Sequence, residues 1–248
     1  MPEVTSEQIL DALKSVKDPD LGKDLVSLKM IKDVLVCGDA VAFTLELTTP
    51  AHPRKDYFLD ECRMAVGTLD GVATVNVRLE SHVTARAAAQ GKMAVDGVKN
   101  IIAVASGKGG VGKSTVTANL ALALVAEGAK IGVLDADIYG PSQPQMLGIP
   151  DEKPMADENN RIFPLKAHGV QVMSMGFMVD KDSPVIWRGP MVMKALVQFL
   201  GETLWEDLDY LLLDLPPGTG DAQLTIVQQV SLSGAVIVTT PQEIALLD

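Results

Sequence analysis

Nine consecutive residues carry the chemistry most open to reading: Gly107, Lys108, Gly109, Gly110, Val111, Gly112, Lys113, Ser114 and Thr115. They fit G-x-x-x-x-G-K-[ST], the spacing of a loop that cradles phosphates, with a second lysine, Lys108, just inside its start. Successive backbone N–H groups from Gly109 to Ser114 would wrap a β-phosphate, and glycines are needed because side chains would fill the phosphate's space. Lys113 would sit between β- and γ-phosphate oxygens as a point charge. The Ser114 hydroxyl would ligate Mg²⁺, and Thr115 would reach the α-phosphate. The motif predicts a site for ATP or GTP, lined by residues 107–115.

Two further segments supply carboxylates. Leu211-Leu212-Leu213-Asp214 is an apolar strand ending in an acid, which at the carboxyl edge of a sheet would hold the metal, usually through water. The alternative is that Asp214 marks a turn, as acids at strand ends often do. Residues 216–221 (Pro-Pro-Gly-Thr-Gly-Asp) then form a stiff turn suited to approach a γ-phosphate, or else a plain connection with Asp221 as helix N-cap. Ile131-Gly132-Val133-Leu134-Asp135-Ala136-Asp137 places two more acids at a neighbouring strand edge. Two anions beside a triphosphate make sense around a metal or an attacking water, so Asp137 is assigned to orient or activate that water and Asp135 to support the metal shell. Solvated turn acids before Tyr139-Gly140-Pro141 are the alternative.

These residues need a scaffold. Ile101 to Ala105 reads as a buried strand and Val116 to Ala126 as a helix, so the loop lies where unpaired helical N–H groups and the positive dipole end face the phosphates. From Asn100 onward, short apolar runs at 101–105, 131–135, 170–174, 210–214 and 235–239 alternate with helical stretches at 113–127, 190–201 and 221–231. That rhythm predicts an α/β fold, a doubly wound, mostly parallel sheet with ligands at the carboxyl ends of its strands. Residues 150–164 read as a solvated loop.

Residues 1–86 follow a different grammar and predict a small α+β domain, with 87–99 as linker and 100–248 as the nucleotide-binding domain. Thr5 and Gln8 have capping-box spacing ahead of Ile9, Leu10, Leu13 and Val16. Alternating stretches at 30–37 and 40–47 flank a turn at Gly38-Asp39, predicting a hairpin. A helix over 54–68 and a third strand over 72–79 complete it.

Composition bounds the class. A net charge of −11 over 248 residues argues against general attraction to nucleic acid or anionic membrane. Two cysteines, Cys37 and Cys62, make no disulfide framework; they are expected as small buried hydrophobes in a reducing cytoplasm. No apolar run reaches membrane-spanning length, and the first residues lack a signal-peptide pattern. The histidines carry no metal pattern; His52 reads as a turn residue. Trp187-Arg188-Gly189-Pro190 is a turn with a cation beside an aromatic, open to an interface, a phosphate contact or plain packing.

Taken together, residues 107–115, 135–142 (Asp-Ala-Asp-Ile-Tyr-Gly-Pro-Ser), 187–191 (Trp-Arg-Gly-Pro-Met), 214–221 and 239–243 (Thr-Thr-Pro-Gln-Glu) resemble the Mrp or ApbC-like iron–sulfur cluster carrier ATPases. These belong to the deviant phosphate-loop group that includes the MinD, ParA and nitrogenase iron-protein families. Asp18-Pro19-Asp20-Leu21-Gly22 and Leu47-Thr48-Thr49-Pro50 resemble the small domain found beside such ATPases and in other iron–sulfur assembly factors. The resemblance covers essentially the whole chain. It implies a homodimer closed across nucleotide, with Lys108 reaching the partner's phosphates as a catalytic cation beside Lys113 and Asp137. It also implies slow, Mg²⁺-dependent ATP hydrolysis and transfer of clusters to apo-proteins, with apo iron–sulfur clients and assembly scaffolds as partners; the acidic charge argues against nucleic acid and membrane as partners.

Two departures stand out. The family holds a bridging iron–sulfur cluster through Cys-x-x-Cys downstream of the Thr-Thr-Pro-Gln segment, and the sequence reaches Asp248 without that pair. The expectation is a fragment lacking at least one covering helix and further strands. His52 stands where relatives often carry cysteine, which puts any cluster-ligand role of the small domain in doubt. Competing readings are a MinD- or ParA-type positioning ATPase, which the acidic charge and the amino-terminal domain disfavour, and a nucleotide-gated adaptor whose hydrolysis is incidental. A reductase like the nitrogenase iron protein is disfavoured because the ATPase region has no cysteine.

Overall fold

The computed structural model describes residues 4–177 and 189–248. Trp187 and Arg188 lie outside the described residues. The chain divides into two compact units, Met1–Val83 and Thr84–Asp248.

In the first unit, α1 (Ser6–Leu13) starts at a complete capping box: Thr5 Oγ1 accepts the Gln8 N–H (3.3 Å) and Gln8 Oε1 accepts the Thr5 N–H (2.9 Å). Two otherwise orphaned helical donors are satisfied in this way. The helix buries Ile9 and Leu13. β1 (Ile31–Cys37) and β2 (Ala40–Leu47) form the expected antiparallel hairpin, with Gly38 at φ 63° in the turn. α2 (Lys55–Gly67) then crosses so that β3 (Thr74–Ser81) pairs parallel to β2, giving the sheet order β1-β2-β3. Phe43, Leu45, Phe58, Cys62 and Val66 form its core with the α1 residues. Cys62 is buried as expected, and burial pushes its thiol up to about 12. Cys37 is exposed, contrary to the expectation of burial, because it ends a strand whose residues are at best half-buried.

The second unit is an α/β layer structure whose sheet has the order β6-β7-β5-β8-β4-β9. β4 (Val98–Ala105), β5 (Ile131–Asp135), β7 (Val170–Ser174), β8 (Leu208–Asp214) and β9 (Gly234–Ile237) run parallel to one another. All five residues of β5 are buried, which is why it lacks the alternation of a one-faced strand. The short β6 (Leu165–Ala167) pairs antiparallel with β7 across a turn at His168-Gly169, both at positive φ. α3 (Lys113–Ala126), α5 (Gly189–Glu202) and α6 (Asp221–Gln229) occupy the predicted helical stretches. α4 (Gln143–Met146) and α7 (Glu243–Leu247) are short additions.

Two expectations need correction. Residues 87–99 do not run as free linker: Met93 N–H donates to Gln229 O (2.7 Å), Ala89 N–H to Ser231 Oγ (3.2 Å), Lys92 Nζ to Val227 O (2.6 Å), and Val95 enters the core. Residues 150–164 are not wholly solvated. Ile162 is buried, donates its N–H to Glu202 O (2.8 Å) and accepts from Leu204 N–H (2.8 Å), a local sheet-like anchor inside a polar sequence.

Candidate functional site

The site forms where β4, β8 and β5 end side by side. Val104 pairs with Asp214, and Asp214 pairs in turn with Asp135. The chain leaves β4 at Ala105 and passes through residues 106–112, turning into α3 at Gly112, its N-cap. Gly110 (φ 78°) and Gly112 (φ 94°) adopt left-handed backbone that side-chain-bearing residues disfavour, so these two glycines are required by the path of the loop. No side chain caps α3, which leaves its first N–H groups available to an anion. The turn after β8 is tied back to this loop: Gly218 N–H donates to Ser106 O (2.9 Å) and Leu215 N–H to Val104 O (3.0 Å).

Lys113 and Asp214 meet across 101 residues of sequence. Nζ lies 2.5 Å from Asp214 Oδ1 and 3.2 Å from Ser114 Oγ, with the lysine 6% exposed and the carboxylate fully buried. A buried charge of either sign is costly alone; each neutralises the other. Thr117 Oγ1 is 3.2 Å from the same Asp214 oxygen. The other oxygen, Oδ2, accepts from Gln143 Nε2 (2.8 Å), which also donates to Ser114 O (3.0 Å).

Asp135 is fully buried, and its oxygens receive four donors. Oδ2 accepts from Ser142 N–H (2.9 Å), Gln143 N–H (3.0 Å) and Ser174 Oγ (3.3 Å), and Oδ1 accepts from Asp137 N–H (3.2 Å). Burial raises the carboxyl to about 6, opposed by the Gln143 N–H and reinforced by the charge of Asp214. β5 ends at Asp135, so Asp137 lies on the following loop rather than on the same strand face. There Asp137 Oδ1 accepts from Tyr139 N–H and Gly140 N–H, both 3.2 Å, in a turn-capping arrangement. Lys108 is exposed and has no ion pair with any other described residue.

The sequence-predicted residues Lys113, Ser114, Asp214 and Asp135 are thus brought together, Asp137 stands at their border, and Lys108 and Thr115 face solvent. Gln143 is the participant that sequence reasoning missed. A glutamine two residues past Gly-Pro carries no motif, and only the fold shows it bridging β5, β8 and α3.

The donor set suits magnesium. It is made of hard oxygens, from the Ser114 hydroxyl and the Asp214 carboxylate, which Lys113 Nζ brings together. No group of three or more His, Cys, Asp or Glu side chains among the described residues is placed to hold a metal ion. A metal there would therefore depend on phosphate and water for the rest of its shell, as Mg²⁺ commonly does.

A parallel sheet, a glycine loop opening a helix, and a lysine and strand-end acid converging on it define a phosphate-loop nucleoside triphosphatase fold. Comparison with known proteins narrows this. The profile described as NUBPL iron-transfer P-loop NTPase matches residues 97–248, and that of the iron–sulfur cluster assembly protein matches residues 6–77. The iron–sulfur cluster carrier protein of Synechocystis sp. is 49% identical over 99% of this chain and 70% of its own length. Those of Haemophilus influenzae (48%; 97% and 65%) and Escherichia coli K12 (44%; 100% and 67%) are similar. Among solved structures, a nucleotide-binding protein from Archaeoglobus fulgidus in complex with ADP is 45% identical, covering 60% of this chain and 57% of that one with a TM-score of 0.52. The chain belongs to the iron–sulfur cluster carrier family of phosphate-loop NTPases. It spans about two thirds of the length of its curated relatives, between 65% and 70% of those named here. No helix among the described residues is long and apolar enough to cross a membrane.

Proposed function

We propose that this chain binds ATP with Mg²⁺ at residues 107–115 and hydrolyses it slowly, in the service of carrying iron–sulfur clusters to apo-proteins. The observation that carries the nucleotide reading is the convergence of Lys113, Ser114 and Asp214 at the carboxyl ends of β4 and β8. The carrier reading is supported by the match of both units to iron–sulfur families.

In this reading Lys113 exchanges Asp214 for the β- and γ-phosphates, and the amides of the loop and of the first turn of α3 take the remaining phosphate oxygens. Ser114 and Asp214 hold the magnesium, with Asp135 supporting them by pinning the 136–143 loop. Bound magnesium would offset the negative charge that gathers on the phosphate oxygens during transfer. Asp137 orients the attacking water through Oδ2, since Oδ1 accepts the turn N–H groups of Tyr139 and Gly140. Lys108, being exposed, is free to reach the phosphates bound by a second copy of the chain and complete the site in a nucleotide-closed homodimer. Clusters are cargo in this scheme. Cys62, buried with a raised thiol, is a poor ligand for them, since binding needs the thiolate. Residence in the cytoplasm accords with these reducing-compartment thiols.

Titration calorimetry with ADP and ATP, with and without Mg²⁺, tests the nucleotide site; absence of binding at saturating ligand overturns it. Anaerobic reconstitution followed by transfer to an apo-protein, beside an intact carrier relative, tests the cargo. ATP-independent transfer that survives Lys113→Ala would remove the link between the two activities.

A further inference from the structure

Gln143 poses a problem that folding alone does not solve. It is fully buried, yet its Oε1 has no hydrogen-bond partner. Leaving such an acceptor unpaired is destabilising, and a leucine or methionine of similar volume would avoid that penalty. Its amide orientation is not in doubt, because both partners of Nε2, the Asp214 carboxylate and the Ser114 carbonyl, only accept. Turning the amide over would press Oε1 against two oxygens.

Gln143 is also the only described residue that touches all three parts of the site. Its backbone N–H holds Asp135, and its side chain holds both Asp214 and the first turn of α3. When Lys113 turns to phosphate, Asp214 loses its cation and keeps only the donors from Thr117 and Gln143.

We infer that Gln143 is a positioning residue for the metal half of the nucleotide site: its amide fixes Asp214 relative to Ser114 while Lys113 changes partner. The inference rests on the nucleotide reading given above and adds a residue to it. Its distinctive consequence is that Gln143 serves magnesium rather than nucleotide as such. Residues that orient a metal's direct ligands typically change metal affinity about 10- to 100-fold when removed.

The test compares ADP affinity in Mg²⁺ with ADP affinity in EDTA, by calorimetry on the whole chain, for wild type, Gln143→Leu and Gln143→Met. The methionine variant keeps length and volume, so it carries the test if the leucine variant fails to fold. The expected result is that the gain in affinity given by Mg²⁺ shrinks about 10-fold or more in the variants, while Mg²⁺-free ADP binding stays within about 2-fold. A merely structural role would weaken both affinities together. Equal weakening, or an unchanged magnesium gain in Gln143→Met, overturns the inference while leaving the nucleotide site standing. A wild-type chain that binds ADP in neither condition overturns the nucleotide reading itself, before any variant is needed.

Discussion

Replacing Lys113 by methionine removes one charge from a pair in which neither member is more than 6% exposed. Asp214 would then be a buried carboxylate with only the hydroxyl of Thr117 and the amide of Gln143 to offset it. Removing one partner of such a pair typically costs about 3–5 kcal/mol, whereas neutralising both is often close to neutral. At about 2–4 °C per kcal/mol for a unit of this size, Lys113→Met should lower the melting temperature by about 6 °C or more. The double variant Lys113→Met/Asp214→Asn should recover most of that loss, giving a coupling of about 2 kcal/mol or more. Trp205 is buried in the second unit and residues 1–83 contain no tryptophan, so tryptophan fluorescence follows the unfolding of the second unit. Nucleotide binding should be lost in both variants, because the lysine serves phosphate as well as Asp214. If the single variant melts within 2 °C of wild type, or the double is no more stable than the weaker single, the pair does not neutralise a buried charge as argued (that threshold is about 1 kcal/mol).

If Lys108 acts across a dimer as proposed, Lys108→Ala should leave ADP affinity within about 2-fold of wild type and, where chemistry limits, lower turnover by about 10³-fold or more. Turnover at the wild-type rate would refute that role. The Asp135 carboxyl should titrate near 6 by carbon-13 NMR, against an ordinary value near 3.8. Because the folded state holds the proton more tightly, its contribution to stability is present below about pH 4 and falls by on the order of 3 kcal/mol as pH rises through about 6; a midpoint under 4.5 would contradict the burial argument. Thiol titration of the native chain should detect Cys37 rapidly and Cys62 only on unfolding, and simultaneous reaction of both would show that the core around Phe58 opens readily.

Much of the architecture was legible because its signals are local. The capping box at Thr5 and Gln8, the turn at Gly38 and the apolar runs of the central strands each report on a few adjacent residues, and each reappears in the fold. The phosphate loop was legible for the same reason. What remained hidden is what depends on distant partners. β6 is three residues long and exists because β7 offers it an edge. The core position of Ile162 and the anchoring of residues 87–99 come from elements far along the chain. At the site, the sequence puts Asp135 and Asp137 together at a strand edge, but the strand stops at Asp135 and the loop then folds back on that carboxylate. Gln143 was invisible because its importance lies in three contacts made in space.

The fastening of residues 86–93 has a mechanical consequence. Arg86 Nη1 donates to Ser233 O (2.8 Å), and Met93 exchanges backbone hydrogen bonds with Gln229 and Ser231, at the far end of the helix that begins where the Pro216–Gly220 turn stops. A shift of that turn large enough to drag α6 along its axis must therefore tug on the polypeptide just ahead of β4. The stretch that precedes β4 is thus moored to the carboxyl end of α6, the opposite end of that helix from the Pro216–Gly220 turn.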